Sequence, residues 1–310
     1  QKSVHANCHQ VQLGGRFDLV YGTDGAFHLS DGLDQNISSG HRFYKIAIPQ
    51  RYGNMYLPIG RGISFKLGKF FTPVGNEVKY NANNFFHSYF LSFGLQPGNH
   101  TGALAETELT DTIHLRFGPN FGWKASENSN HAISYAGDLR WQSIDKKSEL
   151  TFAMQTGHQR SRIVTADSLV SVCSLIFKRQ LTPSCHFLLE HDLLNSDSRA
   201  GVATDNFQAY SLASYLFCDL NRCWRAGVRF EWLRDEDGFL TEFDSDQRLA
   251  PGSYYDITVG LNWQAKPHLR VRPEIRYDSQ VRDDKSLAAS FDDGDSTQQW
   301  LLSCDVLWEF

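Results

Sequence analysis

The sequence predicts an all-β fold, a transmembrane antiparallel up-and-down β-barrel of about fourteen strands, with twelve or sixteen as the neighbouring even counts. Three observations carry this expectation. Apolar and polar residues alternate with a period of two along segments of roughly ten residues, the length a tilted strand needs to cross a bilayer. Short connections between these segments alternate strictly with long ones, the pattern of short periplasmic turns and long extracellular loops. Aromatics reach 13% (22 Phe, 12 Tyr, 7 Trp) against only 2 Met, a balance that favours strands over helices.

The bulk numbers are compatible with this and exclude other classes. With 41% hydrophobic and 21% charged residues, the 310-residue chain is not a disordered or low-complexity protein. No apolar run nears 18 residues, and the longest candidates, such as 209–218, stop at about half that length, so no transmembrane helix is expected. A mean hydropathy of −0.40 does not argue against a barrel, because lipid-facing and water-facing residues average out along each strand. The net charge of −5 provides no basic field, so nucleic acid is not an expected partner. The chain opens on Gln1-Lys2-Ser3-Val4 without a signal peptide, as a processed or trimmed form would.

In order, the alternating segments are 9–21, 47–58, 62–72, 101–109, 112–121, 132–142, 148–157, 165–178, 183–193, 207–218, 223–234, 252–264, 269–279 and 297–310. The last is the cleanest: Trp300, Leu302, Cys304, Val306, Trp308 and Phe310 share one face, opposed by Ser303, Asp305 and Glu309. Terminal Phe310 on an amphipathic strand resembles the assembly signal of bacterial outer-membrane barrels. Upstream, Tyr255, Ile257, Val259, Leu261 and Trp263 oppose Asp256, Thr258, Gly260, Asn262 and Gln264. Similarly, Leu269, Val271, Ile275 and Tyr277 oppose Arg270, Arg272, Glu274, Arg276 and Asp278. Trp224, Ala226, Val228, Phe230 and Trp232 oppose Arg225, Gly227, Arg229 and Glu231. Polar faces built from long opposed charges suit a wet barrel interior. One barrel domain over 1–310 follows, with an even strand count and both termini periplasmic.

Several runs also resemble a known family. Gly68-Lys69-Phe70-Phe71-Thr72-Pro73-Val74-Gly75-Asn76-Glu77, Asn84-Phe85-Phe86-His87-Ser88 and Thr101-Gly102-Ala103-Leu104-Ala105 are similar to the OmpL-like putative β-barrel porin family. So are Phe230-Glu231-Trp232-Leu233-Arg234-Asp235, Gly260-Leu261-Asn262-Trp263 and Val271-Arg272-Pro273-Glu274-Ile275-Arg276-Tyr277-Asp278. The likeness spans about Gly15 to Phe310. It implies an outer-membrane channel for passive diffusion of small polar solutes or ions and hands over no catalytic residues. The family pattern commonly carries an aromatic-rich segment ahead of the first strand, so N-terminal residues are expected to be missing or removed.

Pore chemistry belongs to the inward face. The cationic candidates are Arg16, Lys66, Arg116, Arg140, Arg225, Arg229, Arg270, Arg272 and Arg276. Facing them are Asp18, Asp138, Glu190, Glu231, Asp256, Glu274 and Asp305. Opposed stripes of charge set a weak anion preference in one reading and stiffen the lumen as structural ion pairs in the other. The long connection 73–100 carries Phe85, Phe86, Tyr89 and Phe90; exposing that apolar area to water is costly, so it is expected to fold into the barrel mouth and narrow the pore.

Six cysteines suit an oxidising periplasm. Cys218 with Cys223 and Cys173 with Cys185 flank short turns, and Cys8 near the start of the first strand could meet Cys304 on the last where the barrel closes; all are disulfide candidates, or small outward hydrophobes. No spacing suggests zinc, and the acidic Asp292, Asp293 and Asp295 form only a fragment of a calcium loop. No cofactor is expected; the partners are the bilayer, small solutes and, as for many porins, further copies of the chain. Two other classes compete. A barrel protease would use Asp292-Asp293 with His191-Asp192 at the mouth, but adjacent strand residues point to opposite faces; a lipase lacks a GxSxG. A soluble all-β adhesion protein would extract without detergent.

Overall fold

The computed structural model describes residues 10–30, 32, 34, 37, 43–123, 125–126, 132–159, 168–198, 207–238 and 250–310. Fourteen strands form one antiparallel sheet in which each pairs with its neighbours in chain order. They are β1 (Gln12–Gly22), β2 (Lys45–Leu57), β3 (Ile63–Phe71), β4 (Asn99–Glu108), β5 (Ile113–Asn120), β6 (Ser134–Gln142) and β7 (Ser148–Gln159). The second half comprises β8 (Ser168–Gln180), β9 (Cys185–Ser198), β10 (Phe207–Asp219), β11 (Trp224–Asp235), β12 (Gly252–Lys266), β13 (Leu269–Arg282) and β14 (Gln298–Trp308). A one-turn helix, α1 (Gly25–His28), follows β1. The predicted segments match these strands to within a few residues. The largest departure is β9, which continues to Ser198 on polar residues that hydropathy assigns to a loop.

Alternation sets the two faces, and their polarity is inverted relative to a water-soluble sheet. On β12, Tyr255, Ile257, Val259, Leu261 and Trp263 are exposed, while Tyr254, Asp256, Thr258, Gly260 and Asn262 are buried. Apolar residues outside and charges inside are stable only when lipid meets the outer face. Aromatic pairs mark both rims of that band. Trp224 stacks on Trp263 near the short-turn end, with ring centroids 5.5 Å apart, and Tyr210 packs edge-on against Trp232 near the long-loop end, at 5.7 Å. From Trp224 to Trp232 a tilted strand rises roughly 20 Å, close to the height of an outer-membrane apolar band.

Turn chemistry closes the short hairpins. Between β2 and β3, Gly60 (φ 61°) and Gly62 (φ 93°) take left-handed conformations that other residues adopt at a cost. The terminal strands β1 and β14 are not paired with each other among the described residues, and their outward Leu13 and Leu302 are the most exposed large hydrophobic residues of the described strands, at 80% and 85%. An open ladder edge leaves backbone groups unsatisfied in hydrocarbon, so both edges require strand partners in a bilayer.

The disulfide differs from expectation. Cys185 bonds to Cys218, with Cα atoms 4.2 Å apart, rather than Cys218 to Cys223 and Cys173 to Cys185. Register is the reason: Cys218 lies directly opposite Cys185 across β9 and β10, whereas in the β10–β11 hairpin it faces Ala226, and Cys173 faces Leu193. Cys173, Cys223 and Cys304 are free, and Cys8 lies outside the described residues. A cross-link spanning 33 positions stabilises by about 3–4 kcal/mol through loop entropy. Peptide mapping of unreduced protein is expected to recover the 185–218 pair and to find Cys223 alkylatable; a 218–223 pair would overturn the register argument.

Candidate functional site

The lumen is shaped by the connection from β3 to β4. Two short 3₁₀ turns, Asn81–Asn83 and Leu91–Leu95, are its only regular structure. At its ends Gly75 (φ 85°) and Gly98 (φ 68°) take positive φ, and a Cβ on Gly75 would collide with the Gln96 side chain. With few internal hydrogen bonds, the backbone polar groups of this segment must find partners elsewhere.

They find them on the inner wall of β9 to β14, where carboxylates take N–H groups and guanidinium groups take carbonyls. Glu190 on β9 accepts from Asn76 N at 2.9 Å. Glu231 on β11 accepts from Ser92 N at 2.7 Å and Ser92 Oγ at 2.6 Å, and also from Leu91 N. Glu274 on β13 accepts from His87 N at 2.9 Å and Ser88 N at 3.1 Å. In return Arg229 donates to Ser88 O at 2.9 Å, Arg272 to Asn84 O at 2.8 Å and Arg276 to Tyr89 O. Charge-assisted bonds of this kind are about twice as strong as neutral ones. Recognition is chiefly of main chain, so it fixes the path of the segment more than its side chains.

Arg229 is the centre of this arrangement. It is fully buried, between Asp256 at 3.1 Å and Glu77 at 3.0 Å, with Thr258 at 3.1 Å. Glu77, brought by the segment itself, also accepts from Tyr215 Oη and Phe90 N, both at 3.2 Å. Arg272 pairs with Asp305, and Arg276 lies 2.7 Å from both Asp256 and Asp278. Apolar packing completes the seat: Phe86 and Phe90 are buried with Ile176, Leu188, Ala213 and Tyr215. Gly227 and Gly260 face the lumen where a Cβ would run into Phe85 and Phe86, so these glycines make room for the rings.

The inward candidates therefore fall into two groups. Glu190, Arg229, Glu231, Asp256, Arg272, Glu274 and Arg276 lie on the inner face but are buried, behind the 72–98 segment. Parity alone places them beside water; apart from Gly227 and Gly260, the segment that covers them has no signature in their own strands. Arg16, Lys66, Arg116, Arg140, Arg225 and Arg270 keep partial exposure, as do Asp18 and Asp305. On β1 to β6, Arg16 holds Asp18 at 2.8 Å, Lys66 lies 3.7 Å from Glu106, and Arg116 pairs with Asp138, which is itself buried. Two anchors are not among the site residues expected from sequence: Glu77, present there only in the family-like run, and Gln96, whose amide donates to Glu190 at 3.2 Å and Asp192 at 3.0 Å. An acid inside an aromatic-rich connection is the signal that points to Glu77.

Described residues of the β1–β2 connection are anchored near the ends of β3 and β4. Buried Asp34 pairs with Lys69 on β3 and accepts from Ser30 N at 3.2 Å, while Ser30 Oγ donates to Asn99 at 3.0 Å. His28, beside them, is held neutral: burial and then the nearby Lys79 and Lys69 push its pKa down to about 4.

The chain, over residues 2–310, matches the family model of putative β-barrel porin-2, OmpL-like. It belongs to that porin family. Solved structures with the same fold include OmpT of Vibrio cholerae in trimer form, at 9% identity, covering 84% of this chain and 79% of that one with a TM-score of 0.56. The anion-selective porin from Comamonas acidovorans aligns at 8% identity over 97% and 96% of the two chains with a TM-score of 0.54. The outer membrane channel DcaP of Acinetobacter baumannii does so at 10% over 96% and 95%, with 0.52. No curated relative matches. At these identities the likeness speaks to fold, so the channel's properties rest on its own residues.

The residues of the other readings are not brought together. Asp292 and Asp293 sit in a 3₁₀ turn with Gly294, and among the described residues no three His, Cys, Asp or Glu side chains are grouped to hold a metal, Asp295 included. His191 is exposed, its ring 2.6 Å from Ser211 O, while Asp192 is buried on the opposite face and bonded to Ser174 and Gln96.

Proposed function

We propose that this porin is a passive diffusion channel of the outer membrane for small polar solutes, without enzymatic chemistry, with its termini and short turns on the periplasmic side. Residues 1–310 act as one barrel domain, and the 73–100 connection, with Phe85, Phe86, Tyr89 and Phe90, is its constriction. The observation that carries this reading is the seating of the segment, which packs on β7 and β8, uses the charges of β9 to β14 and leaves the partly exposed inward charges of β1 to β6 as the solvated side.

Ion preference then follows from the solvated side. Among the partly exposed inward charges there, Arg16, Lys66, Arg116 and Arg140 stand against Asp18, Glu106 and Glu108, Asp138 being buried, an excess of one positive group. Charged linings of this sort bias permeation without binding tightly. The expected result is a reversal potential favouring chloride over potassium in a salt gradient, reduced or inverted by Lys66→Glu. Clear cation selectivity of the unmodified channel would sink the anion preference.

A further inference from the structure

The proposed channel contains a feature at its short-turn end that its ion preference does not use. Arg225, at the start of β11, is half-buried, with its guanidinium 5.3 Å from the centroid of Phe217 on β10 and 5.7 Å from that of Phe85 in the constriction segment. The two rings lie 4.7 Å apart, tilted by 37°. Phe85 is fixed from behind: Asn262 Nδ2 donates to its carbonyl at 3.1 Å, and Gly227 leaves the space its ring occupies. His186 is paired directly with Phe217 across the sheet and has a buried Nδ1 without a hydrogen-bond partner.

Other arginines of this inner face are consumed by carboxylates and carbonyls. Among the described residues Arg225 has one carboxylate in ion-pair range, Asp219 Oδ1 at 3.2 Å from Nε, and both side chains of that pair are about half exposed. An exposed pair is weak and readily exchanged for another anion. Guanidinium planes favour aromatic faces and bind carboxylates through two parallel N–H donors, so the rings orient the fork while leaving its edge free.

We propose that Arg225, Phe85 and Phe217 form a solute subsite for small organic anions with a flat apolar body, aromatic carboxylates being the simplest class. The carboxylate exchanges with Asp219 on Arg225, and the solute's ring packs on the edges of Phe85 and Phe217. This goes beyond the channel reading, on which it rests for the solute's access, by naming a substrate class. A simple anion such as acetate gains the charge but not the rings, and an aromatic alcohol gains the rings but not the charge.

Phenylacetate binding to the detergent-solubilised full chain, measured by titration calorimetry, tests the subsite without requiring conduction. Phenylacetate is expected to bind more tightly than acetate or benzyl alcohol. Arg225→Gln should weaken it about tenfold or more and Phe217→Leu several-fold, with heat-modifiable gel migration reporting an intact barrel in each variant. Equal affinity for phenylacetate and acetate, or binding unchanged by Arg225→Gln, would overturn the proposal. In planar bilayers phenylacetate should also block current in brief events that Arg225→Gln abolishes. Binding lost with Arg225 but no conductance in any salt would leave the subsite standing and remove the channel.

Discussion

In the Arg229→Met variant, single-channel conductance should rise and become noisier while the barrel itself stays assembled. Arg229 neutralises Glu77 and Asp256 in a site closed to solvent and also holds Ser88 O. Methionine fills much of the volume but leaves buried Glu77 without its cation and Asp256 with Arg276 alone, a loss of about 3–5 kcal/mol when one side of a buried ion pair is removed. The outer ladder need not bear that cost, because all twelve residues Trp224–Asp235 keep their strand partners on β12. The segment can release Glu77 and hydrate it, so the expected effect is a shift of the seated–released equilibrium by about two to three orders of magnitude. Arg229→Lys should rescue only in part, since a single ammonium cannot span Asp256, Glu77 and the Ser88 carbonyl together. Conductance unchanged in a correctly assembled Arg229→Met barrel would mean that Arg229 does not hold the constriction.

Deleting 82–94 should produce the larger conductance, several-fold above the parent. It removes Phe85, Phe86, Tyr89 and Phe90 and the backbone groups that Glu231 and Glu274 hold. It should also change the sign of selectivity. Behind the segment lie six acids (Glu190, Asp192, Glu231, Asp256, Glu274, Asp278) and three arginines (Arg229, Arg272, Arg276), all buried. Once hydrated, these leave that wall net negative, and a cation preference should replace the anion preference. Bilayer recordings in a salt gradient read both quantities at once. A deletion channel with parental conductance would refute the constriction, and one that is wider but still anion-preferring would refute the charge assignment.

Which of these groups could be read from the chain alone follows a simple rule. Parity identifies the face of a strand, so Arg229, Glu231, Arg272 and Glu274 are recognisable as inward. Whether an inward residue meets water or protein depends on a connection more than 100 positions away, as for Leu91 and Glu231 at a separation of 140. Local sequence holds no record of that contact, apart from the glycines at 227 and 260, which are odd in a strand and become reasonable once the Phe85 and Phe86 rings lie over them. The cysteines illustrate the same limit on a smaller scale. Flanking a turn brings Cys218 and Cys223 close along the chain, but only strand register decides which sulfur faces which, and it selects Cys185.

By itself, the sequence determined the strand count, the lipid-facing and lumen-facing residues, and the alternation of short and long connections. Each of these is a periodic property that a strand's own side chains must satisfy against lipid or water. Only the tertiary structure decided that the segment between β3 and β4 lies along β9 to β14, that a set of expected lining charges instead binds its backbone, and that Arg225 remains accessible beside Phe85 and Phe217. Backbone amides and carbonyls are the same in every residue, so a wall that recognises main chain leaves almost no trace in the sequence it recognises.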